Sequence, residues 1–352
     1  MQARLQAIPF IFDGPDSSDA SLAPTSTSSG NGLKMAAKRY TWDRSEENVH
    51  GLTLLFAHCI GAHKEQWEPV IERIFITQST KSKHYQIREA WAFDWQNHGD
   101  SGVINQELLK DRPEGVSIYE WAPAITAFVQ SPCMKGHRIV PMGHSAGAGA
   151  MMLTTKTFPV SKLPYVALIL IEPTMVTREL FFEHFDDRMI TMEFTVGATS
   201  IRRDTWPGRE EAFQWLSRKF PWRMWDPRVV RLLVDYGLQN TPNGSQVTLK
   251  CDKKQEAISY PDVDGHFEAT IELGRICHAL PVHLIWGTSN DLVPDYIQDS
   301  LNDATQGRIA ASVSTVHGAG HMVVQEKPDH LAMKICEILN TISPHLPVQS
   351  RL

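Results

Sequence analysis

The stretch Arg138-Ile139-Val140-Pro141-Met142-Gly143-His144-Ser145-Ala146-Gly147-Ala148-Gly149-Ala150 decides the fold. An apolar run leads into Gly143-His144-Ser145-Ala146-Gly147, and a run of small residues follows. This is a G-x-S-x-G pattern at a strand-to-helix turn. Such a turn is sharp enough to hold its central residue in strained backbone angles. Glycines flank it because a Cβ at either position would meet neighbouring backbone. The Ser145 hydroxyl is thereby lifted above a sheet edge at a helix N-terminus, where the dipole favours developing negative charge. A chemically silent Gly/Ala-rich turn would share these five residues, so the rest of the chain has to decide. Pro141 is awkward inside a strand because it removes a ladder donor. A position near the strand end accommodates it.

The flanking chain supplies the sheet. Gly51 to Ala57 is continuously apolar, as expected for a strand buried on both faces. Ile87 to Trp95, Val166 to Ile171, Val282 to Trp286 and Ile309 to Val316 read as further strands, and Lys34 to Trp42 as an edge strand. Lys64 to Ile76 reads as a helix with Trp67, Val70, Ile71 and Ile74 on one stripe. Another spans Ile118 to Val129, opened by a capping box of Ser117 and Glu120. His330 to Ile342 reads as the last helix. Strands alternating with helices give an α/β fold, a mostly parallel sheet covered on both faces.

Two regions depart from this rhythm. Residues 1–32 contain a Ser/Thr/Pro/Gly/Asp stretch too polar to bury much, so the segment is expected to be disordered, though Ile8 to Phe12 could dock on the body. Between Glu172-Pro173 and Leu280 the strands stop. This insert, residues 174–280, holds Trp206, Trp215, Trp222 and Trp225. It carries one well-punctuated helix, with Asp226 as N-cap, Pro227 at the first position and Gly237 just past the end. The insert is expected to be a helical cap over the site, giving substrate shape and excluding water, with Trp206, Trp222 and Trp225 as substrate-binding candidates. The core is then 33–173 plus 281–343, with 344–352 as a tail.

Composition narrows the function. A net charge of −6 argues against nucleic acid as a general partner. No run of about 18 apolar residues exists, so no transmembrane helix is expected. The N-terminus has no basic stretch leading into an apolar one, so no secretory signal is expected. Five cysteines without paired spacing suggest a reducing compartment and no disulfide framework. No C-x-x-C or H-E-x-x-H occurs, so neither a metal nor a cofactor is expected.

A serine hydroxyl needs a base to act as a nucleophile at neutral pH. His321, in the Gly-Ala-Gly-His-Met turn after the last strand, is the best candidate, with His317 second. A carboxylate should orient its ring. Glu172, ending the strand after the Ser145 helix, competes with Asp291 in "WGTSNDLVP"; Glu172 is preferred because its extra methylene helps it reach. His58 ends the strand Gly51 to Ala57 and either shapes that loop or meets substrate; the structural role is favoured. His98, Asp100 and Ser101 read as turn-stabilising groups.

Several stretches together resemble the fungal α/β-hydrolases of secondary-metabolite clusters. These include host-selective-toxin biosynthesis proteins and the peroxisomal acyl-CoA hydrolase of the mycophenolic acid pathway. The stretches are "AHCIGAHKEQWEPV", "WAFDWQNHGDSGV", "GHSAGAGAM", "LILIEP", "WDPRVVRLLVDYGL" and "GAGHMVVQEKPD". The resemblance covers roughly Lys34 to Ile342. It implies the α/β-hydrolase fold, Ser145 and His321 as nucleophile and base, and an acid at Glu172. Hydrolases of this fold stabilise the oxyanion with backbone N–H groups, here that of Ala146 together with that of Ile60 or Cys59. Cys59 stands where glycine is usual, and Asn290 stands in the usual acid slot with Asp291 one residue late.

The resemblance implies a small-molecule acyl thioester or ester as substrate. From Arg202 to Arg231 the insert is basic, a patch that could meet coenzyme A phosphates or simply be solvated. An acyltransferase, a cyclase or a carboxylesterase on the same residues stays open, as does a ligand-binding protein without turnover. Ser350-Arg351-Leu352 is a close variant of the S-K-L address read by the peroxisomal import receptor, so a peroxisomal location is expected, with the cytoplasm as the alternative. A homodimer also stays open.

Overall fold

The computed structural model describes residues 4–15 and 32–344. Eleven strands are present among them: β1 (Leu5–Asp13), β2 (Lys34–Trp42), β3 (Leu52–Ala57), β4 (Ile87–Phe93), β5 (Arg138–His144), β6 (Leu168–Ile171), β7 (Thr205–Trp206), β8 (Leu238–Asn240), β9 (Val247–Leu249), β10 (Val282–Gly287) and β11 (Ser312–Val316). Eight form one sheet in the order β1-β2-β4-β3-β5-β6-β10-β11. β1–β2 and β2–β4 are antiparallel and every other pairing is parallel. This is the α/β-hydrolase fold.

Helices cover both faces, which is why the strand sequences are apolar without alternation. Leu52, Leu54 and Phe56 point into one core layer with Val70, Ile71 and Ile74 of helix Glu68–Gln78. Leu55 and Ala57 point into the other, with Met151, Leu273 and Trp286. Pro141 is tolerated for a geometric reason. Ile139 accepts from Val166 on the β6 side, so the imino nitrogen of Pro141, two residues on, faces that side as well. Regular β5–β6 pairing starts only at Met142.

Two expectations need correction. The N-terminal lead is not wholly without structure: β1 pairs with β2 along its length, from Leu5 opposite Trp42 to Asp13 opposite Lys34. Phe10 and Phe12 explain the docking, since their rings sit 4.9 Å from Trp91 and 5.2 Å from Phe128. β2 is therefore internal and β1 is the edge. The polar stretch 16–31 lies outside the described residues, as do residues 345–352.

The stretch 174–280, expected to be mostly helical, also contains strands. β7, β9 and β8 form a small antiparallel sheet within it. Helix Asp264–Ile276, at the far end, packs into the main core through Phe267, Ala269, Leu273 and Ile276. The insert has its own core of Trp206, Leu216, Trp225, Val230, Leu233 and Val247. Asp226 caps helix Pro227–Tyr236 by accepting from the Arg228 N–H at 2.9 Å. Gly237 ends it with φ −83°, not in the left-handed region. Glycine is needed there for space, because a Cβ would lie 2.7 Å from the Leu233 carbonyl oxygen and 3.1 Å from the His63 ring. No helix among the described residues is long and apolar enough to cross a membrane.

Candidate active site

β5 ends at His144 and helix Ala146–Leu153 begins two residues later, so Ser145 carries the whole change of direction, with φ 56° and ψ −120°. A non-glycine residue at such angles costs about 1–3 kcal/mol and persists only where its surroundings enforce it. The flanking glycines do so by close approach. A Cβ on Gly143 would lie 2.2 Å from the Gly147 carbonyl oxygen, and one on Gly147 would lie 2.5 Å from the carbonyl oxygens of Ala57 and His58. The Ser145 N–H donates to Ile171, the last residue of β6, at 3.0 Å.

That last contact brings Glu172 alongside. Glu172 also has a positive φ, 47°, and its N–H donates to Ile285 on β10 at 2.8 Å. Its Oε1 accepts from the Gly287 N–H at 2.5 Å, and its Oε2 faces His321 Nδ1 at 3.1 Å. His321 Nε2 lies 3.0 Å from Ser145 Oγ. The structure therefore brings Ser145, His321 and Glu172 into one hydrogen-bonded line, all three buried. The carboxylate accepts from Nδ1–H, which leaves the Nε2 lone pair for the serine hydroxyl. His317, the second candidate base, is exposed and outside this line.

Asp291 does not meet the ring. Its Oδ1 accepts the backbone N–H of His321 at 2.8 Å. Its carboxylate lies against Gly320, where a Cβ would collide with it at 2.2 Å. Reach explains the outcome: one residue past the usual slot, Asp291 meets the main chain of the histidine turn, while Glu172 reaches the ring from the neighbouring strand. Two further groups on this turn were not found from sequence. Glu326 accepts the Gly320 N–H at 2.8 Å, and the His144 ring donates from Nε2 to the His321 carbonyl at 2.7 Å. Burial raises the Glu326 carboxyl above its ordinary range and nearby Asp291 adds to this, against the Gly320 bond. Burial, with His321 beside it, drives His144 well below the usual imidazole range, so it is neutral. His144 fills a variable position of the G-x-S-x-G motif, and nothing in its local sequence marks it.

The facing loop, residues 58–61, is held by two histidines. His58 donates from Nδ1 to the Cys59 carbonyl at 2.7 Å and accepts the Trp95 N–H on Nε2 at 3.1 Å. Both ring nitrogens are engaged and burial lowers its pKa to about 3, so His58 shapes the loop and is not a substrate-binding group. His98 accepts the Gly61 N–H at 3.0 Å. The Ala62 N–H goes to the Cys59 carbonyl at 3.2 Å. The N–H groups of Cys59 and Ile60 are thus the ones left by this turn, beside the Ala146 N–H, which as the first of its helix has no intrahelical acceptor. The Cys59 thiol is buried, pushed up to about 12 by desolvation, and accepts from Gln325 at 3.7 Å.

Beneath the loop lies a charge network that sequence reading missed. Buried Lys64 contacts Asp94 at 2.8 Å and Asp100 at 2.6 Å. Burial opposes its charge, but Asp94, Glu65 and Asp100 outweigh that and raise its pKa. Asp94 also accepts the N–H groups of Lys64 and Asp100, both at 2.8 Å. Gly99 has φ 52°, and a Cβ there would meet the Asp94 carboxylate at 2.4 Å. The "NHGDS" turn is thereby explained as the seat of that carboxylate. Asp100 and Ser101 bond within it as expected, Ser101 receiving the Ala36 N–H at 2.8 Å.

Of the tryptophans proposed for substrate, Trp206 and Trp225 are buried in the insert core and Trp222 packs half-buried against it. Trp206 and Trp222 also line a small cavity with Gly61, His63, Arg202 and Glu256. An indole is large enough to fill the insert's own thin core, which explains why these rings point inward.

A family profile described as the alpha/beta hydrolase family matches residues 54–332. A comparison with curated protein sequences finds no match. Among solved structures, the chain is similar to the peroxisomal alpha-beta-hydrolase Lpx1 of Saccharomyces cerevisiae, with TM-score 0.72 and 19% identity over 98% of this chain and 93% of that one. It is similar to a thioesterase domain from the curacin biosynthetic pathway, with TM-score 0.61 and 16% identity over 89% and 97% of the two chains. A Mycobacterium tuberculosis esterase follows, with TM-score 0.58 and 18% identity over 87% and 89%. At these identities the likenesses bear on fold alone. The profile spans most of the sheet, the elbow and the histidine turn, and the chain belongs to the alpha/beta hydrolase family.

Proposed function

We propose that this protein is a serine hydrolase that cleaves a thioester or ester, with an acyl-CoA of a natural-product intermediate as the substrate class. The observation that carries this reading is the hydrogen-bonded line from Ser145 through His321 to Glu172, built on a strained elbow. In this reading His321 takes the Ser145 proton through Nε2 as Oγ attacks the acyl carbonyl, and Glu172 steadies the resulting imidazolium. The N–H groups of Ala146 and of Ile60 or Cys59 receive the oxyanion; one such donor is worth on the order of 10²–10³ in rate. The imidazolium returns its proton to the leaving thiolate or alkoxide. Water, activated by the same ring, then cleaves the acyl-enzyme.

The thioester preference is supported by the SRL terminus, by the resemblance to fungal secondary-metabolite hydrolases, and by likeness of fold to structures that include a thioesterase domain and a peroxisomal hydrolase. The insert acts as the lid, and import into peroxisomes runs through Ser350-Arg351-Leu352. The test is a screen of the purified protein against CoA thioesters and simple esters with free-thiol release as readout. Turnover that disappears in Ser145→Ala, with a fluorophosphonate adduct on Ser145 in the unmodified protein, is expected. Undiminished turnover in Ser145→Ala would overturn the nucleophile. Acyl transfer to an added alcohol or amine in preference to water would change the reaction class on the same residues. Deleting the last three residues should move a tagged protein from peroxisomes to the cytosol.

A further inference from the structure

Helix Phe185–Ile201 in the insert turns part of its apolar surface outward, while Met192 packs half-buried against the main core. Thr199 is its only buried residue. Ile190, Phe194 and Ile201 are 67%, 77% and 86% exposed, and Phe182 and Phe185 ahead of them are exposed too. Single exposed apolar residues are ordinary, but a run of them along one helix marks an interaction surface. Gly197 lies in the same run with nothing near its Cβ position, so a partner could approach the backbone there. Glu183, Asp186 and Glu193 are exposed on the same segment, and none is ion-paired among the described residues.

The turn after helix Arg209–Leu216 has the opposite charge and the same apolar character. Phe220 and Met224 are 72% and 55% exposed. Arg218, Lys219 and Arg223 stand around them, exposed and likewise without ion pairs among the described residues. Coenzyme A phosphates would account for the three cations. They would account neither for the two apolar side chains among them nor for the acidic, apolar helix.

We propose that the two patches are complementary halves of one isologous interface between two copies of this chain. The acidic apolar helix of one copy seats on the basic apolar turn of the second, and the reverse contact forms by symmetry. Opposite charges around an apolar centre steer the encounter and set its register. Because both patches belong to the insert, association stacks one roof on the other.

Two charge-reversed full-length variants test this. One carries Glu183→Lys, Asp186→Lys and Glu193→Lys, and the other Arg218→Glu, Lys219→Glu and Arg223→Glu. In the first pairing with itself, both reciprocal contacts place cations on cations; in the second, acids on acids. Sedimentation equilibrium at micromolar concentration is expected to show a dimer for the unmodified chain, monomers for each variant alone, and a restored dimer when the variants are mixed. Restoration on mixing also shows that both variants are folded. A monomeric unmodified chain overturns the proposal, as does dimerisation of each variant alone or a mixture that stays monomeric. If the unmodified chain is monomeric and the Arg218/Lys219/Arg223 variant instead raises KM for a CoA thioester, the cations serve substrate phosphates.

Discussion

The turn that carries His321 and the helix Phe185–Ile201 are held in opposite ways. In the turn, consecutive groups are fixed: Gly318 to Thr288, Ala319 to Ser289, Gly320 to Glu326, His321 to Asp291 and to His144. The helix is seventeen residues long and buries one of them. Ser145, His321 and Glu172 thus take their geometry from the sheet, and in the proposed reaction a misplacement of 1 Å would cost about 10²-fold in rate. Helix Phe185–Ile201 rests Met192 against the main core and leaves Ile190, Phe194 and Ile201 exposed. Precision and replaceability have been separated in one chain.

The sharpest way to break this contrast is to attack the two carboxylates around His321. Glu172→Gln removes the charge facing the ring and should lower kcat roughly 10³–10⁴-fold. Asp291→Ala frees a main-chain N–H and should cost roughly 10²-fold, while Asp291→Asn, which keeps an acceptor, should cost less. If kinetics on a turned-over ester rank Asp291→Asn below Glu172→Gln, the ring takes its partner from the wrong strand in this account. Next comes the network under the loop of residues 58–61. Asp94→Ala leaves buried Lys64 short of its nearest counter-charge and should cost about 3–5 kcal/mol in a denaturant titration; a loss below about 1 kcal/mol would mean the loop is not held from beneath.

A smaller effect concerns pH. Burial holds His58 at about 3 against an ordinary 6.5. Between those values the unfolded chain binds a proton that the folded chain does not. The stability is therefore complete above pH 6.5 and falls by about 1.4 kcal/mol per pH unit as pH drops toward 3. His58→Gln should be less stable at pH 7.5 and should lose stability less steeply from pH 6 to 4. An unchanged slope by thermal melts would remove His58 from the acid response. The smallest effect belongs to the roof: Phe194→Ser should alter the stability of the monomer by no more than about 0.5 kcal/mol, and a larger loss would show that the helix is packed after all.

What could be read in the sequence was whatever depends on local backbone chemistry. The elbow glycines, the apolar runs of β3 and β6, the Ser117 capping box and the Asp226 cap all follow from neighbours in the chain. What could not be read depends on contacts across the fold. Lys64 looks like a helix-start cation until Asp94 and Asp100 meet it from thirty and thirty-six residues away. The tryptophans of the insert read as substrate contacts because sequence cannot say which way a ring faces. β1 was legible only as a segment, Ile8 to Phe12, that could dock; its pairing with β2 is made by main chain and two phenylalanines, flanked by polar residues that read as disorder.

Ser145 and His321 are 176 positions apart, yet the residue next to one grips the peptide of the other through the 2.7 Å bond from His144. A drift of the elbow would therefore tow the imidazole with it, holding Ser145 Oγ and His321 Nε2 near their 3.0 Å spacing. Replacing His144 by a residue without a ring donor would uncouple the two excursions and broaden the distribution of their separation, even if the mean position stayed the same.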